Sequence, residues 1–185
     1  MTMENDESLF ARFLEGNEMG LELLMERYGD SLTYYINGYI HDLNDAEDLM
    51  IEAFARVAAK QPHFTDYGFK AYLYKTGRNL ALRHAGRLRL YRHFGLDDTD
   101  VEPVSPIYPE HIAQKREQNS VLRRCMNKLC RNYREALYLV FFEDLSHAEA
   151  AEVLGKNEKQ VDNMICRGKQ ALRRLLEEEG ITDAR

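Results

Sequence analysis

The chain has 185 residues, 30% of them charged and 44% hydrophobic, which gives room for one domain or two small ones and marks it as globular rather than disordered. No apolar run approaches the roughly 20 residues that a membrane helix needs, and the polar, acidic start at Met1–Ser8 is wrong for a secretory signal. Cys125, Cys130 and Cys166 form an odd set with no C-x-x-C pair, which argues against disulfides and zinc and for reduced thiols in a cytoplasmic protein.

The formal charge of −6 hides a strong patterning. Residues 1–66 carry a net −10, and residues 67–95 carry +7 without a single acid. Residues 96–114 then carry −5, residues 115–176 carry +5, and the tail 177–185 carries −3. Two basic blocks set between acidic ones imply two anionic contacts and at least one partner of a different kind.

Period-two runs of Val and Ile are absent, so the expected fold class is all-α. Helices are expected from Leu9 to about Gly29 and from Ser31 to about His41. A third is expected from Asn44, which can cap it with Glu47 at the third position. In this third helix Ala46, Leu49, Met50, Ala53, Phe54, Val57 and Ala58 make one buried stripe, and Glu47, Asp48, Glu52 and Arg56 take the other side. Pro62 ends it, leaving an aromatic loop at 63–68.

A fourth helix is expected from about Phe69 to about Arg92. At 100° per residue, Phe69, Tyr72, Leu73, Thr76 and Leu80 share one arc, and Lys70, Lys75, Arg78, Arg89 and Arg92 share another. Ala71, Ala81 and Ala85 fall in or near the basic arc, where small side chains would let a nucleic-acid backbone come close. A solvated basic face has the same pattern; the absence of acids favours nucleic acid. Phe64 and Tyr67 in the preceding loop are candidates to stack on a base, and the same rings would equally serve to plug the domain's core.

GLDDTDVEPVSPIYPEH at 95–111, with Pro103, Pro106 and Pro109, reads as an acidic linker between two helical domains. Beyond it Val121, Leu122, Cys125, Met126 and Leu129 make an apolar stripe, and the next helix is expected to open at Asn132 and Glu135 and run to about Glu143. SHAEAAEVLGKNEKQVDNMICR at 146–167 reads as a helix-turn-helix. Ser146 and Glu149 suit a capping box, Gly155 the left-handed stop, and Asn157 with Gln160 a second cap. Such a unit lays its second helix in the DNA major groove. On that helix Lys159, Gln160, Asn163, Arg167, Gln170 and Arg174 share one arc, opposite Val161, Ile165, Gly168 and Leu172. Gln160 and Asn163 suit base edges, and Arg167, Lys169 and Arg174 suit phosphates. Asp162 is expected to lie off the base-reading face.

These segments together resemble bacterial RNA polymerase sigma factors of the sigma-70 family, in the small extracytoplasmic-function (ECF) group. DAEDLMIEAF at 45–54 resembles that family's D-A-E-D-L-x-Q-E-x-F. FKAYLYKTGRNLAL at 69–82 resembles its W-L-Y-x-I-A-R-N helix, with Arg78 and Asn79 in the Arg-Asn places, and the helix-turn-helix followed by RGKQALRRLL resembles its C-terminal domain. Ile51 stands for the usual Gln, Tyr72 for Trp, Thr76-Gly77 for Ile-Ala, Asp162-Asn163-Met164 for Lys-Ser-Arg, and Lys156 for an apolar turn residue.

The resemblance implies a domain 2 at residues 1–94, a linker at 95–114, a domain 4 at 115–178 and a tail at 179–185. It implies a specificity subunit without catalytic residues, metal or cofactor, whose partners are core RNA polymerase and promoter DNA, both double-stranded and as a melted non-template strand. An anti-sigma protein is a further partner the family admits, and no membrane insertion is expected. Core binding would fall to Asp45, Glu47, Asp48, Ile51 and Glu52. The minus-ten element would fall to Phe64, Tyr67, Lys70, Lys75, Arg78, Asn79 and Arg89. The minus-thirty-five element would fall to Lys159, Gln160, Asn163, Arg167, Lys169 and Arg174. Two competing readings are a stand-alone helix-turn-helix regulator, which has no need of the acidic third helix, and a metal nuclease using Glu47, Asp48 and Glu52, which would need ligands converging from several elements.

Overall fold

The computed structural model describes residues 4–64, 67–93 and 118–181, and among them there are eight helices and no strand. These fall into two compact units, the first holding α1 (Asp6–Leu14), α2 (Met19–Ile40), α3 (Leu43–Lys60) and α4 (Gly68–His93), the second α5 (Gln118–Lys128), α6 (Arg131–Phe141), α7 (His147–Leu154) and α8 (Glu158–Glu178). The linker expected at 95–114 lies outside the described residues, as do the tail residues 182–185.

In the first unit α2 is the spine against which α1, α3 and α4 pack. The chain breaks near Gly16 and then runs as one helix through Gly29 and Asp30, so the two helices expected to meet at Gly29 are divided differently. A glycine inside a helix costs only about 1 kcal/mol, and Gly29 is buried, with Met50 of α3 within 3.9 Å of where its Cβ would be. Packing offsets the cost, so this glycine does not end the helix. The third helix likewise starts earlier than expected. Its cap is Asp42, in extended conformation, whose carboxylate accepts the Asp45 N–H at 3.0 Å, and Asn44 is already helical. His41 and Gln61 adopt left-handed conformations that close α2 and α3.

Phe69, at the start of α4, gathers the elements of this unit. Its ring lies 5.5 Å from Phe10 of α1, 5.5 Å from Phe64 of the loop and 6.4 Å from Phe54 of α3. Each such ring contributes about 1.5–3 kcal/mol by burial, and tilted or edge-on pairs add about 0.5–1.5 kcal/mol. Around this apolar centre α1 also makes polar ties. The Glu7 carboxylate accepts the Phe69 N–H at 3.3 Å, capping α4 from 62 residues away. Asp6 accepts from Arg27 and from the Tyr28 hydroxyl of α2. Burial, and then Asp6 itself, push the Tyr28 phenol far above its ordinary pKa, so it remains a donor.

The buried face of α4 also differs from the one expected. It comprises Phe69, Ala71, Leu73, Tyr74, Gly77, Leu80 and Ala81, and Tyr72 and Thr76 are only half-buried. Small residues set how closely the helix approaches α2 and α3, and a reading weighted by large apolar side chains misses them. Ala71 and Ala81 therefore serve the core, and the nucleic-acid approach expected of them is corrected.

In the second unit α8 packs on α5, α6 and α7. Cys125, Met126 and Leu129 are buried as expected, with Val121 and Leu122 half-buried. The helix expected to open at Asn132 opens at Arg131 behind Cys130, which gives no side-chain cap, and it ends at Phe141. Glu135 is drawn into the interior instead of capping. Arg124 and Lys128 of α5 bind Glu179 just beyond α8, at 3.2 and 3.0 Å. Those hydrogen bonds, Lys128's first, hold the Glu179 carboxyl below the usual range.

The α1–α2 corner yields a sharp expectation. A Cβ on Gly20 would stand 2.2 Å from the Leu9 carbonyl oxygen and 2.9 Å from the Phe13 nitrogen, both backbone atoms that cannot turn aside. Gly20→Ala should therefore destabilise the first unit by about 2–3 kcal/mol, despite alanine's better helix propensity. An unchanged urea midpoint would show that the corner can open at little cost.

Candidate nucleic-acid and partner interfaces

Three surfaces carry the residues singled out in the sequence. The first is the outer side of α3, opposite the buried Ala46, Leu49, Ala53, Phe54 and Val57. Leu43, Glu47 and Ile51 follow one another at four-residue steps, which stacks them in one stripe, and both apolar members are exposed, Leu43 at 43% and Ile51 at 52%. Asp48 is exposed beside them. Glu52 is paired with Arg56 on the same helix at 2.6 Å. Asp45 comes within 3.1 Å of the His84 Nε2 of α4, close enough for an ion pair but not aligned as a hydrogen bond. Leu43 is not among the expected contacts, because a helix starting at Asn44 leaves it outside; α3 starts at Leu43 and brings it onto the outer stripe. An acidic surface with apolar members suits a basic protein partner better than a metal ion. Among the described residues no cluster of His, Cys, Asp and Glu could hold one.

The second surface joins the 61–67 loop to α4. Phe64 is half-buried and edge-on to Phe10 at 5.1 Å and Tyr72 at 6.0 Å, so this ring closes the aromatic cluster. Tyr67 is exposed at 36%, and of the two loop rings it is the one more open to stacking. Lys70 is half-buried, its Nζ 5.4 Å from the Tyr28 ring centre and 5.8 Å from that of Tyr74. Lys75 and Arg78 are half-buried, and Asn79 and Arg83 are exposed. The outward strip of α4 thus carries Tyr72, Lys75, Thr76, Asn79 and Arg83, and the Lys60 Nζ lies 5.8 Å from the Tyr72 ring centre. The Arg89 side chain lies outside the described residues.

The third surface is α8 in its helix-turn-helix. Both capping boxes form. Ser146 accepts from the Glu149 N–H at 3.2 Å and returns its own N–H to the Glu149 carboxylate at 2.7 Å. Asn157 accepts from the Gln160 N–H at 2.9 Å and returns its N–H to the Gln160 side-chain oxygen at 3.0 Å. Gly155, at φ 62°, takes the left-handed conformation that ends α7, and the Lys156 N–H reaches back to the Ala151 carbonyl at 3.0 Å.

Val161, Ile165 and Gly168 of α8 are buried, and Lys159, Gln160, Asn163, Arg167, Lys169, Gln170 and Arg174 are all exposed. Two of these are already engaged. The Gln160 oxygen already accepts the Asn157 N–H in the cap, which ties this side chain to the start of the helix. The Lys169 Nζ sits 4.4 Å over the exposed Phe141 ring. Lys159, Asn163, Arg167, Gln170 and Arg174 remain as the open strip, which Cys166 borders, receiving a long contact from the Gln170 amide at 3.9 Å. Asp162, beside this strip, is bound to His147 Nδ1 of α7.

A helical unit with an acid-and-apolar docking stripe and a basic helix, together with a second unit built on a fully capped helix-turn-helix, defines a DNA-binding protein that also engages a protein partner. Residues 24–91 match the family described as Sigma-70 region 2, and residues 120–172 match Sigma-70 region 4. The chain is 29% identical to RNA polymerase sigma factor NccH of Alcaligenes xylosoxydans xylosoxydans, over 93% of this chain and 95% of that one. It is 33% identical to ECF RNA polymerase sigma factor BldN of Streptomyces coelicolor, over 84% of this chain and 60% of that one. Its fold is similar to that of the sigma factor RpoE of Bartonella quintana, solved in complex with the anti-sigma factor NepR, at 22% identity and a TM-score of 0.65, covering 84% of this chain and 96% of that one.

The protein belongs to the sigma-70 family of RNA polymerase sigma factors, in its ECF group. It binds core RNA polymerase and directs it to promoters; the stand-alone regulator is not favoured, and no described helix is long and apolar enough to cross a membrane.

The second cap can be tested by itself. Asn157→Ala removes the side-chain oxygen that accepts the Gln160 N–H at the start of α8, while the backbone N–H of residue 157 remains, and should lower the second unit's stability by about 1 kcal/mol. Denaturant unfolding followed by far-ultraviolet circular dichroism measures this, and an unchanged midpoint would show that the cap contributes nothing in water.

Proposed function

We propose that the two units divide the promoter between them, with residues 1–94 taking core polymerase and the minus-ten element and residues 115–178 taking the minus-thirty-five element. The protein acts as a detachable specificity subunit in the cytoplasm, with no catalytic step of its own. The observation that carries this reading is the two-faced α8, whose Asn163, Arg167, Gln170 and Arg174 project opposite Val161 and Ile165 from a capped, close-packed helix.

On the first unit, Glu47, Asp48 and Ile51, joined by Leu43, form the core-polymerase contact, with Asp45 and Glu52 adjusting the charge at its edge. Lys75, Arg78, Asn79 and Arg83 track the melted non-template strand, and Tyr67 stacks on an unpaired base, supplying about 1–3 kcal/mol toward the cost of unstacking. Phe64 supports the loop from beneath. On α8, Asn163 reads a base edge, and Arg167 and Arg174 hold phosphates. An anti-sigma protein is an expected antagonist, as the Bartonella quintana neighbour has one in its complex.

The test is run-off transcription from promoters selected with this protein and core enzyme. Transcripts should require both components, and the free protein should bind the promoter weakly and with a steep salt dependence. Tight, sequence-specific binding by the free protein would return the stand-alone regulator to favour.

Asp48→Arg should weaken core binding at least tenfold in competition against another sigma factor, since it sets like charge against a basic partner. Asp48 is exposed, so the helix should remain folded. Unchanged competition would remove α3's acidic face from the interface.

A further inference from the structure

Asp162 is an acid in the second turn of the helix that is to enter a polyanion's groove. It lies between buried Val161 and exposed Asn163, at the border of the open strip. At that border a carboxylate has two harmful options. It can repel a phosphate, and it can accept a hydrogen bond from the amino group of cytosine, which is the base-edge contact natural to Asp. In the structure the carboxylate is turned toward α7, its Oδ1 held by His147 Nδ1 at 2.5 Å. His147 is the first residue of α7, directly after the Ser146 cap, so its backbone is fixed by a reciprocal capping box. The bond requires only that Nδ1 carry a proton, which both the imidazolium and one neutral tautomer provide. Both side chains are about half exposed, at 42% and 53%, and an exposed pair of this kind contributes little to stability. Its value must lie elsewhere.

We infer that His147 is a positioning residue for promoter readout, which holds the Asp162 carboxylate against α7 and so keeps it away from the phosphates and base edges that Asn163 and Arg167 address. This inference rests on α8 being the helix that reads the minus-thirty-five element. It makes the specificity of that element depend on a residue outside the reading helix. In His147→Ala the carboxylate is released into the interface. Promoter affinity then falls, and a preference for cytosine appears at a base position beside the one Asn163 reads. Removing the carboxylate as well, in His147→Ala/Asp162→Ala, abolishes both effects.

The experiment uses the full chain with core polymerase and a promoter library randomised across the minus-thirty-five element, together with binding titrations and thermal melting. The expected result is that His147→Ala weakens promoter binding by about fivefold through like-charge repulsion and shifts the selected motif, with the melting temperature nearly unchanged. The double variant should restore both wild-type affinity and motif. An unaltered motif and affinity in His147→Ala would overturn the inference. So would a double variant that fails to restore them, since His147 would then act on DNA or on the fold directly. Asn163→Ala serves as the control. If it shifts the motif while His147→Ala does not, only the present inference is lost; if it too leaves the motif unchanged, the reading of α8 fails and the inference falls with it.

Discussion

What the second unit presents to DNA depends on α8 being fixed along one side. Val161 and Ile165 are buried, and Gly168 brings the helix so close to α6 that an added Cβ would meet Leu137 and Tyr133 at 3.1 and 3.2 Å. A helix held this way cannot roll, so side chains a half-turn from the seam are aimed rather than merely exposed. The caps fix its start and the Arg124–Glu179–Lys128 cluster ties its end to α5. The helix runs over 21 residues, or about 30 Å.

The first unit solves a different problem with the same economy. One aromatic junction, centred on Phe69, unites α1, α3, α4 and the loop before α4. Tyr67 stands directly before α4, two residues ahead of Phe69 at the centre of that junction. α1 contributes more than apolar area, since Glu7 caps α4 and Asp6 is locked to Tyr28 and Arg27. The strongly acidic N-terminal segment is thus partly structural. On the outer side of α3, Glu47 and Asp48 stand beside exposed Ile51 and Leu43, which suits that surface to a protein rather than to an ion.

The all-helical class, the helix-turn-helix, both of its caps and the two faces of α8 were legible in the sequence, because capping boxes and 3.6-residue periodicity are local signals. What misled was chiefly tertiary packing, and once the choice between two neighbouring caps. Gly29 reads as a break, yet packing against Met50 keeps it inside α2. Ala71 and Ala81 read as gaps in a basic face, yet they are fully buried. Leu43 reads as lying ahead of the third helix, yet α3 starts with it, capped by Asp42 rather than by Asn44. At the candidate sites, the sequence named the exposed side chains but not what they were already doing. The capping bond of Gln160, the Phe141 ring beneath Lys169 and the His147 grip on Asp162 are contacts between side chains that only packing brings together.

We propose that one chain spans two promoter elements through two separately built units. This is tested most directly by site-specific photocrosslinking within a reconstituted complex of this protein, core polymerase and promoter DNA. With the crosslinker at position 163, the account predicts adducts confined to the minus-thirty-five duplex. With the crosslinker at position 67, it predicts adducts on the non-template strand of the minus-ten element, appearing only when the DNA is melted. Adducts from both positions on the same element, or from position 67 on fully duplex DNA alone, would contradict it.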